Sequence, residues 1–155
     1  MANIVCRIVE VCVFRFMNDR PEYLMLKRSP DEKIYPNLWQ FVSGSLHEGE
    51  KATVAGLREL KEETGLAPKR FWVVPHANMF YDPAYDAVNV SPLFAAQVDA
   101  GDEPTLSAEH CEFEWLPFAD ARRRLVWPGQ RLGLEVIDKY ILGGEEAGIL
   151  TLISL

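Results

Sequence analysis

Three carboxylates lie within five residues of one another near the end of the stretch GSLHEGEKATVAGLRELKEETGL, which runs from Gly44 to Leu66. They belong to Glu59, Glu62 and Glu63, and spacings of three and four residues place side chains on one face of a helix. Hard divalent cations such as Mg²⁺ bind carboxylate oxygens together with water and substrate phosphates. The spacing therefore predicts either a metal-binding helix face or a solvated acidic face, and the bare ExxEE pattern alone favours the second.

The residues around these carboxylates change that balance. Gly44 follows an apolar strand, and a residue without a side chain allows the backbone to approach a ligand or metal. Glu50 falls six residues after Gly44, and Arg58 falls eight residues after Glu50. The whole pattern is Gly-x5-Glu-x7-Arg-Glu-Leu-x-Glu-Glu-x-Gly-Leu. It resembles the Nudix box, the signature of the Nudix hydrolase family, at every defined position, with Leu60 and Leu66 in the aliphatic positions.

This resemblance implies metal-dependent hydrolysis of a nucleoside diphosphate linked to another group. Mg²⁺ is the implied cofactor, with Mn²⁺ as a substitute. Arg58 would orient the glutamates by ion pairing, and Glu62 would be a third metal ligand or the base that activates water. The metal ligands that the box implies are Gly44, through its carbonyl, and Glu59, Glu62 and Glu63. Water would attack a pyrophosphate linkage while metal ions neutralise the developing charge.

A second patch, SAEHCEFEWLPFADA at residues 107–121, resembles one branch of the family, the dATP and dihydroneopterin triphosphate pyrophosphohydrolases. That branch carries an additional carboxylate in a Glu-His-x-x-aromatic-x-Trp-Leu pattern. Glu109 takes this position here, so the resemblance implies a metal-binding or catalytic role for it. The neighbouring His110 is predicted to pack or to form a structural hydrogen bond. WQFVSGS at 39–45 also resembles this branch, although many relatives have proline where this chain has Ser43.

Four further residues are predicted to contact the substrate. Lys27 and Arg28 end a predicted strand, where a cation can meet phosphate oxygens. Ordinary surface charge is the alternative for both. Trp39 and Tyr81 are aromatic side chains that can stack on a base or a pterin ring. For them the alternative is core packing or plain surface exposure.

The elements that must position these residues follow from the apolar pattern along the chain. Strands are predicted at 5–16, 23–27, 38–42, 71–80, 87–98 and 110–116, and helices at 50–64, 118–125 and 130–142. This order lacks regular βαβ alternation, so it predicts an α/β (α+β) fold with a mixed central sheet and helices on both sides. The family resemblance implies a Nudix-type α/β/α sandwich. Residues 1–142 are predicted to form one domain, and the tail 143–155 docks on it, pairs with another chain or is disordered.

Composition narrows the class of partner. The chain has 155 residues and a net charge of -7, which disfavours binding to duplex nucleic acid. A phosphorylated small molecule remains compatible, because a cation can bring phosphate to an acidic site. The three cysteines form no CxxC pair, which is typical of a reduced, cytoplasmic protein. No apolar run reaches the length of about 18 residues that a membrane span requires.

The leading hypothesis is a Mg²⁺-dependent enzyme that cleaves a nucleoside or pterin triphosphate, such as dATP or dihydroneopterin triphosphate, to a monophosphate and pyrophosphate. The alternative enzyme would hydrolyse dinucleoside polyphosphates, nucleotide sugars or capped RNA. A third hypothesis is a non-catalytic module that senses a nucleotide, although such modules usually lack box glutamates that this chain retains. A homodimer is compatible with each of these hypotheses.

Overall fold

A nine-stranded mixed sheet forms the centre of the computed structural model, which describes residues 1–155. Its strands are β1 Asn3–Val5, β2 Ile8–Met17, β3 Arg20–Arg28, β4 Trp39–Gln40, β5 Val42–Ser45, β6 Arg70–Asp82, β7 Ala87–Gln97, β8 His110–Leu116 and β9 Leu152–Ile153. The main order is β4-β3-β2-β7-β6-β9, and β1, β5 and β8 pair with β7, β2 and β3 respectively. The β2–β7 pair is parallel, whereas β2–β3 and β6–β7 are antiparallel. The predicted mixed sheet is confirmed.

Helices cover both faces of this sheet. They are α1 Ala52–Thr64, α2 Phe118–Arg124, α3 Pro128–Val136, which continues as a π-helical turn over Ile137–Ile141, and α4 Glu146–Leu150. One hydrophobic cluster lies between the sheet and α1, and the other lies between the opposite face and α2 and α3. No helix combines the length and the apolar run needed to cross a bilayer.

The sequence of the first predicted strand is almost continuously apolar because β2, which it forms, is covered on both faces. Val9, Val11 and Val13 pack in the cluster beneath α1, whereas Cys12 and Phe14 pack in the opposite cluster. A strand covered on both faces reads as a hydrophobic run rather than as an alternation of apolar and polar residues. Glu10 is the exception within this run, because it is a buried acid on the α2/α3 side.

The structure divides two predicted strands. The segment 5–16 becomes β1 and β2, because five residues separate Val5 from Glu10 while four separate their β7 partners, Asn89 and Leu93. The additional residue breaks the ladder, and the Arg7 backbone N–H instead donates to the Asn89 side-chain oxygen at 3.1 Å. The segment 38–42 becomes β4 and β5, and β5 extends past the predicted end to include Gly44.

The tail beyond residue 142 docks on the body of the domain. Strand β9 pairs with β6 through Phe71 and Ile153, which places it at the edge of the sheet. The indole N–H of Trp72 donates to the Gly148 carbonyl of α4 at 2.9 Å. Of the three alternatives that the sequence left open for this segment, the structure shows the first.

Helix α1 carries most of the predicted box and ends where the sequence predicts. Gly65 has φ 70°, in the left-handed region that glycine adopts without steric cost, and its N–H donates to the Lys61 carbonyl. Leu60 and Ala55 are fully buried against the sheet. This packing fixes the rotation of α1 and so decides which of its glutamates face the sheet.

Candidate active site

Arg58 links helix α1 to the loop that precedes it. Its Nε and Nη2 atoms donate to the two carboxylate oxygens of Glu50, each at 2.9 Å, and Nη2 also donates to the Ser45 carbonyl at 2.9 Å. Hydrogen bonds from Arg58 lower the pKa of Glu50 to about 2. On the helix, Nη1 donates to Glu59 at 2.6 Å and to Glu62 at 3.3 Å. Arg58 therefore orients box carboxylates by ion pairing, the arrangement that the family resemblance implied.

The Glu59 side chain of α1 fills the space beside Gly44 of β5 that a side chain at Gly44 would need. A Cβ atom added to Gly44 would lie 1.9 Å from the Glu59 carboxyl carbon, so β5 can approach α1 only because this residue has no side chain. Burial raises the pKa of Glu59, while Arg58 opposes the rise. A glycine is therefore required at position 44 for the Glu59 carboxylate to lie where it does.

Glu63 is the most deeply buried carboxylate in the site. Its side chain is 2% exposed, and neither carboxylate oxygen has a hydrogen-bond partner of ordinary geometry. The Ser43 backbone N–H is close enough only to oppose the rise in the pKa of Glu63. Burial, followed by the charges of Glu109 and Glu59, raises the pKa of Glu63 to about 9. Buried polar groups are normally paired, so a carboxylate without an ordinary hydrogen bond on either oxygen is an exception in this interior.

His110 and Gln40 form a buried polar pair behind Glu63. The Nδ1 atom of His110 lies 3.8 Å from Glu63 Oε2, and its Nε2 atom lies 3.2 Å from the Gln40 side-chain nitrogen. Burial lowers the pKa of His110 to about 4, so this imidazole is neutral near pH 7. The prediction of a structural role for His110 agrees with these contacts. The sequence analysis did not select Gln40 as a site residue. Its position between Trp39 and Phe41, within a predicted apolar strand, was the signal that could have identified it.

Glu62 and Glu109 lie at the exposed side of the cluster. The Glu62 side chain is 57% exposed, and its one hydrogen bond is the long contact to Arg58. Glu109 is exposed in the loop before β8, close enough to Glu59 and Glu63 for its charge to raise the pKa values of both. The structure therefore brings the loop carboxylate together with the helix carboxylates, about 50 residues away in sequence.

The chemistry of this donor set suits a hard divalent cation. Carboxylate oxygens are the ligands that Mg²⁺ prefers, and the unpartnered oxygens of Glu63 provide them without competition from other hydrogen bonds. With the side chains in their present conformations, no three His, Cys, Asp or Glu residues are arranged to hold one metal ion. Arg58 holds one oxygen of Glu59, and Glu62 extends into solvent. Side-chain rotation would therefore be needed for these carboxylates to hold one ion together.

The predicted substrate contacts divide between the two faces of the sheet. Arg28 lies on the α1 side, where its charge helps to lower the pKa of His110, while its guanidinium donates to Glu32 and to the Ile34 carbonyl. Lys27 faces the other side, donates to Glu112 at 2.8 Å and lies 5.8 Å from the ring of Trp39. Arg28 is thus the cation nearer to the carboxylates.

The two aromatic candidates are not neighbours. Trp39 is half-buried beneath the guanidinium of Arg124, 4.7 Å from the ring centroid. Tyr81 lies near the tip of the β6–β7 hairpin, is 55% exposed, and donates its hydroxyl proton to Asp86 at 3.0 Å. The structure does not bring Tyr81 together with the carboxylate cluster.

Comparisons with known sequences identify the family of the chain. The NUDIX domain family matches residues 7–136. The chain is 31% identical over 132 residues to an octanoyltransferase of Myxococcus xanthus, across 81% of this chain and 34% of that protein. It is 44% identical over 57 residues to the dihydroneopterin triphosphate diphosphatase of Escherichia coli K12, across 37% of this chain and 35% of that protein. The matches span about a third of the length of these two relatives.

The fold has a close counterpart among solved structures. An Ap4A hydrolase of C. elegans, solved as a binary complex, superposes with a TM-score of 0.74 at 20% identity, covering 90% of this chain and 99% of that one. At this identity the likeness shows the fold alone. Because the NUDIX match covers most of the chain and includes the whole carboxylate box, the protein belongs to the Nudix family.

Proposed function

We propose that the protein is a Mg²⁺-dependent pyrophosphohydrolase that cleaves a nucleoside triphosphate or related triphosphate to a monophosphate and pyrophosphate. The observation that carries this proposal is the Glu63 carboxylate, which is buried beside Glu59 with both oxygens unpartnered. A group in that state costs folding free energy unless a ligand compensates it, and a cation with bound phosphates is such a ligand. The similarity to a dihydroneopterin triphosphate diphosphatase supports a triphosphate as the substrate class.

Each residue of the cluster has a distinct task in this reaction. A bound Mg²⁺ would supply electrostatic stabilisation of the charge that develops on the pyrophosphate. Glu59, Glu63 and the Gly44 carbonyl would hold the ion, and Arg58 would keep the Glu59 carboxylate directed toward Gly44. Rotation of Glu62 toward the cluster would make it either a third carboxylate ligand or the base that accepts a proton from water.

The proton of the attacking water needs a carboxylate that stays accessible. Glu62 and Glu109 are the exposed members of the cluster, so one of them would accept this proton. Glu63 is unsuited to that task because it is enclosed by protein. Arg28, on the α1 side of β3, would contact phosphate oxygens once its bonds to Glu32 and the Ile34 carbonyl are released.

A panel of nucleotides with resolved products tests the proposal. The panel holds deoxynucleoside triphosphates including dATP, dihydroneopterin triphosphate, diadenosine tetraphosphate, a nucleotide sugar and a capped RNA, each with Mg²⁺ and with excess chelator. We expect metal-dependent release of pyrophosphate and a monophosphate from at least one triphosphate. If only diadenosine tetraphosphate, the nucleotide sugar or the capped RNA is cleaved, the protein is instead a hydrolase of that class of substrate. Binding without turnover of any compound would favour a sensor.

Site variants connect that activity to the carboxylate cluster. Glu59→Gln should keep the fold and lower kcat by roughly 100-fold or more, because one charged oxygen ligand is lost. Glu48→Gln is the matched control, since Glu48 lies in the same box but is exposed and forms no ion pair. Retention of wild-type turnover by Glu59→Gln at saturating Mg²⁺ would show that Glu59 is not a ligand.

A further inference from the structure

Two buried polar side chains lie on the strands that flank the end of β3, and the proposed reaction uses neither. Gln40 of β4 is opposite Leu26, and His110 of β8 is opposite Arg28. Directly opposite residues of an antiparallel pair share a face of the sheet, and Leu26 packs in the cluster beneath α1. Gln40 and His110 are 7% and 4% exposed, so both are enclosed on the side of the sheet that carries the box helix.

These two side chains form a line with Glu63. Nε2 of the Gln40 amide lies 3.2 Å from Nε2 of the His110 ring, and Nδ1 on the other side of that ring lies 3.8 Å from Glu63 Oε2. His110 Nδ1 and both Glu63 oxygens are buried without a hydrogen bond of ordinary geometry. One end of the imidazole is therefore held by Gln40, and the other end is directed at the carboxylate.

The orientation of the Gln40 amide decides which nitrogen of His110 carries the proton. Burial keeps the ring neutral near pH 7, and a neutral imidazole has one N–H donor and one acceptor nitrogen. The amide nitrogen of Gln40 faces Nε2, which makes Nε2 the acceptor and places the proton on Nδ1, toward Glu63. The opposite amide orientation would direct the lone pair of Nδ1 at the ionised carboxylate that a cation requires, and two acceptors repel.

We propose that Gln40 and His110 are positioning residues for Glu63: the Gln40 amide holds His110 in its Nδ1–H tautomer, and this N–H donates to Glu63 when the carboxylate binds a cation. The proposal rests on the proposed function, in which Glu63 is a metal ligand. The 3.8 Å separation is about 0.9 Å longer than a hydrogen bond, and the charge of a metal-binding carboxylate favours the shorter contact. Outer partners of this kind orient the ligands of a metal and change its affinity by roughly 10-fold to 100-fold.

Two other groups near Glu63 do not depend on position 40. The Ser43 backbone N–H and the charge of Arg28 both lower the pKa of Glu63, against the effect of its burial. Arg28 also lowers the pKa of His110. A substitution of Gln40 removes neither group, so its effect on the site can be assigned to the amide.

Nitrogen-15 NMR of histidine-labelled protein measures the tautomer directly. The chain has three histidines, and His110→Asn identifies the His110 signals. With Mg²⁺ bound, we expect wild-type His110 to carry its proton on Nδ1, and Gln40→Met, which keeps the side-chain volume but has no N–H, to shift the proton toward Nε2. Gln97→Met is the matched control, because Gln97 is a half-buried strand glutamine. A wild-type ring protonated on Nε2 overturns the proposal.

Binding of Mn²⁺, measured by electron paramagnetic resonance without nucleotide, tests the consequence for the metal site. We expect Gln40→Met to weaken Mn²⁺ binding by about 10-fold and Gln97→Met to leave it unchanged. His110→Asn keeps a side-chain N–H and does not need Gln40 to orient it, so adding Gln40→Met to His110→Asn should cost nothing further. Thermal unfolding confirms that each variant is folded before binding is compared. Wild-type Mn²⁺ affinity in Gln40→Met would overturn the proposal.

Turnover separates this proposal from the proposed function. At limiting Mg²⁺, Gln40→Met should lower kcat/KM for a triphosphate by about 10-fold, and saturating Mg²⁺ should restore most of the loss. If no triphosphate is cleaved but the tautomer and the Mn²⁺ affinity change as expected in Gln40→Met, the positioning role stands and the proposed hydrolysis fails. If triphosphates are cleaved while Gln40→Met retains the wild-type tautomer and Mn²⁺ affinity, the positioning role fails alone.

Discussion

Substituting Glu63 by glutamine should stabilise the protein when no metal is present, and the size of the effect should depend on pH. The pKa of Glu63 rises from 4.5 to about 9 on folding, chiefly because the carboxyl is buried. Between these pH values the folded protein holds a proton that the unfolded chain releases. The stability that this group contributes is therefore complete below about pH 4.5 and is lost as the pH rises through 9.

The magnitude follows from the interval between the unfolded pKa and the working pH. Each pH unit above 4.5 lowers the stability of the wild-type protein by about 1.4 kcal/mol relative to a variant that cannot ionise. At pH 7 the Glu63→Gln variant should therefore exceed the wild type by roughly 3 kcal/mol, and at pH 4.5 the two should be nearly equal. The advantage should level off above about pH 9.

Urea unfolding in chelator at pH 4.5, 7 and 9 measures this difference. Glu62→Gln is the matched control, because Glu62 lies on the same helix with its side chain 57% exposed. Added Mg²⁺ should stabilise the wild type and leave the variant nearly unchanged, since a ligand stabilises only the folded state that binds it. A Glu63→Gln variant that is no more stable than the wild type at pH 9 would refute the argument that Glu63 is an uncompensated buried acid.

Two further predictions concern the start of the box. Gly44→Ala should reduce kcat by roughly 100-fold because its Cβ must displace Glu59, whereas Gly101→Ala, where nothing lies within 4 Å, should leave kcat unchanged. Equal kcat values for these two variants would show that Glu59 tolerates the displacement. Glu50→Gln should lower stability above about pH 4.5, and urea unfolding should show this loss fading as the pH falls toward 2, because Arg58 holds the pKa of Glu50 near 2 only in the folded state. A loss that persists unchanged at pH 2 would mean that Glu50 acts through packing rather than through its charge.

Local sequence was sufficient for the elements whose pattern is strong. Strand β8 was predicted with its observed bounds, and α1 was predicted within two residues at its start. The breaks within 5–16 and 38–42 could not be predicted, because each depends on the register with a distant strand. The additional residue between β1 and β2 arises because both strands pair with β7. Only this tertiary pairing sets how many residues of the first segment oppose each stretch of β7.

The substrate contacts show the same division between local and tertiary information. Lys27 and Arg28 are adjacent, and alternation along a strand already predicts that they face opposite sides of the sheet. Which side holds the carboxylates depends on where α1 packs, and this places Arg28 rather than Lys27 near Glu63. Tyr81 was selected as an aromatic residue beyond the box, and the structure places it near the tip of the β6–β7 hairpin with its side chain exposed.

By itself the sequence determined which glutamates of the box share one helix, because their spacing is a local property. It also determined the ion pair partner of these glutamates, since Arg58 lies four residues before Glu62 on the same helix. Only the tertiary structure decided the electrostatic state of each carboxylate, because burial depends on the residues that other elements place around it. Glu63 and Glu62 are neighbours in the chain, yet the Glu63 side chain is 2% exposed beside His110 of β8, whereas the Glu62 side chain is 57% exposed.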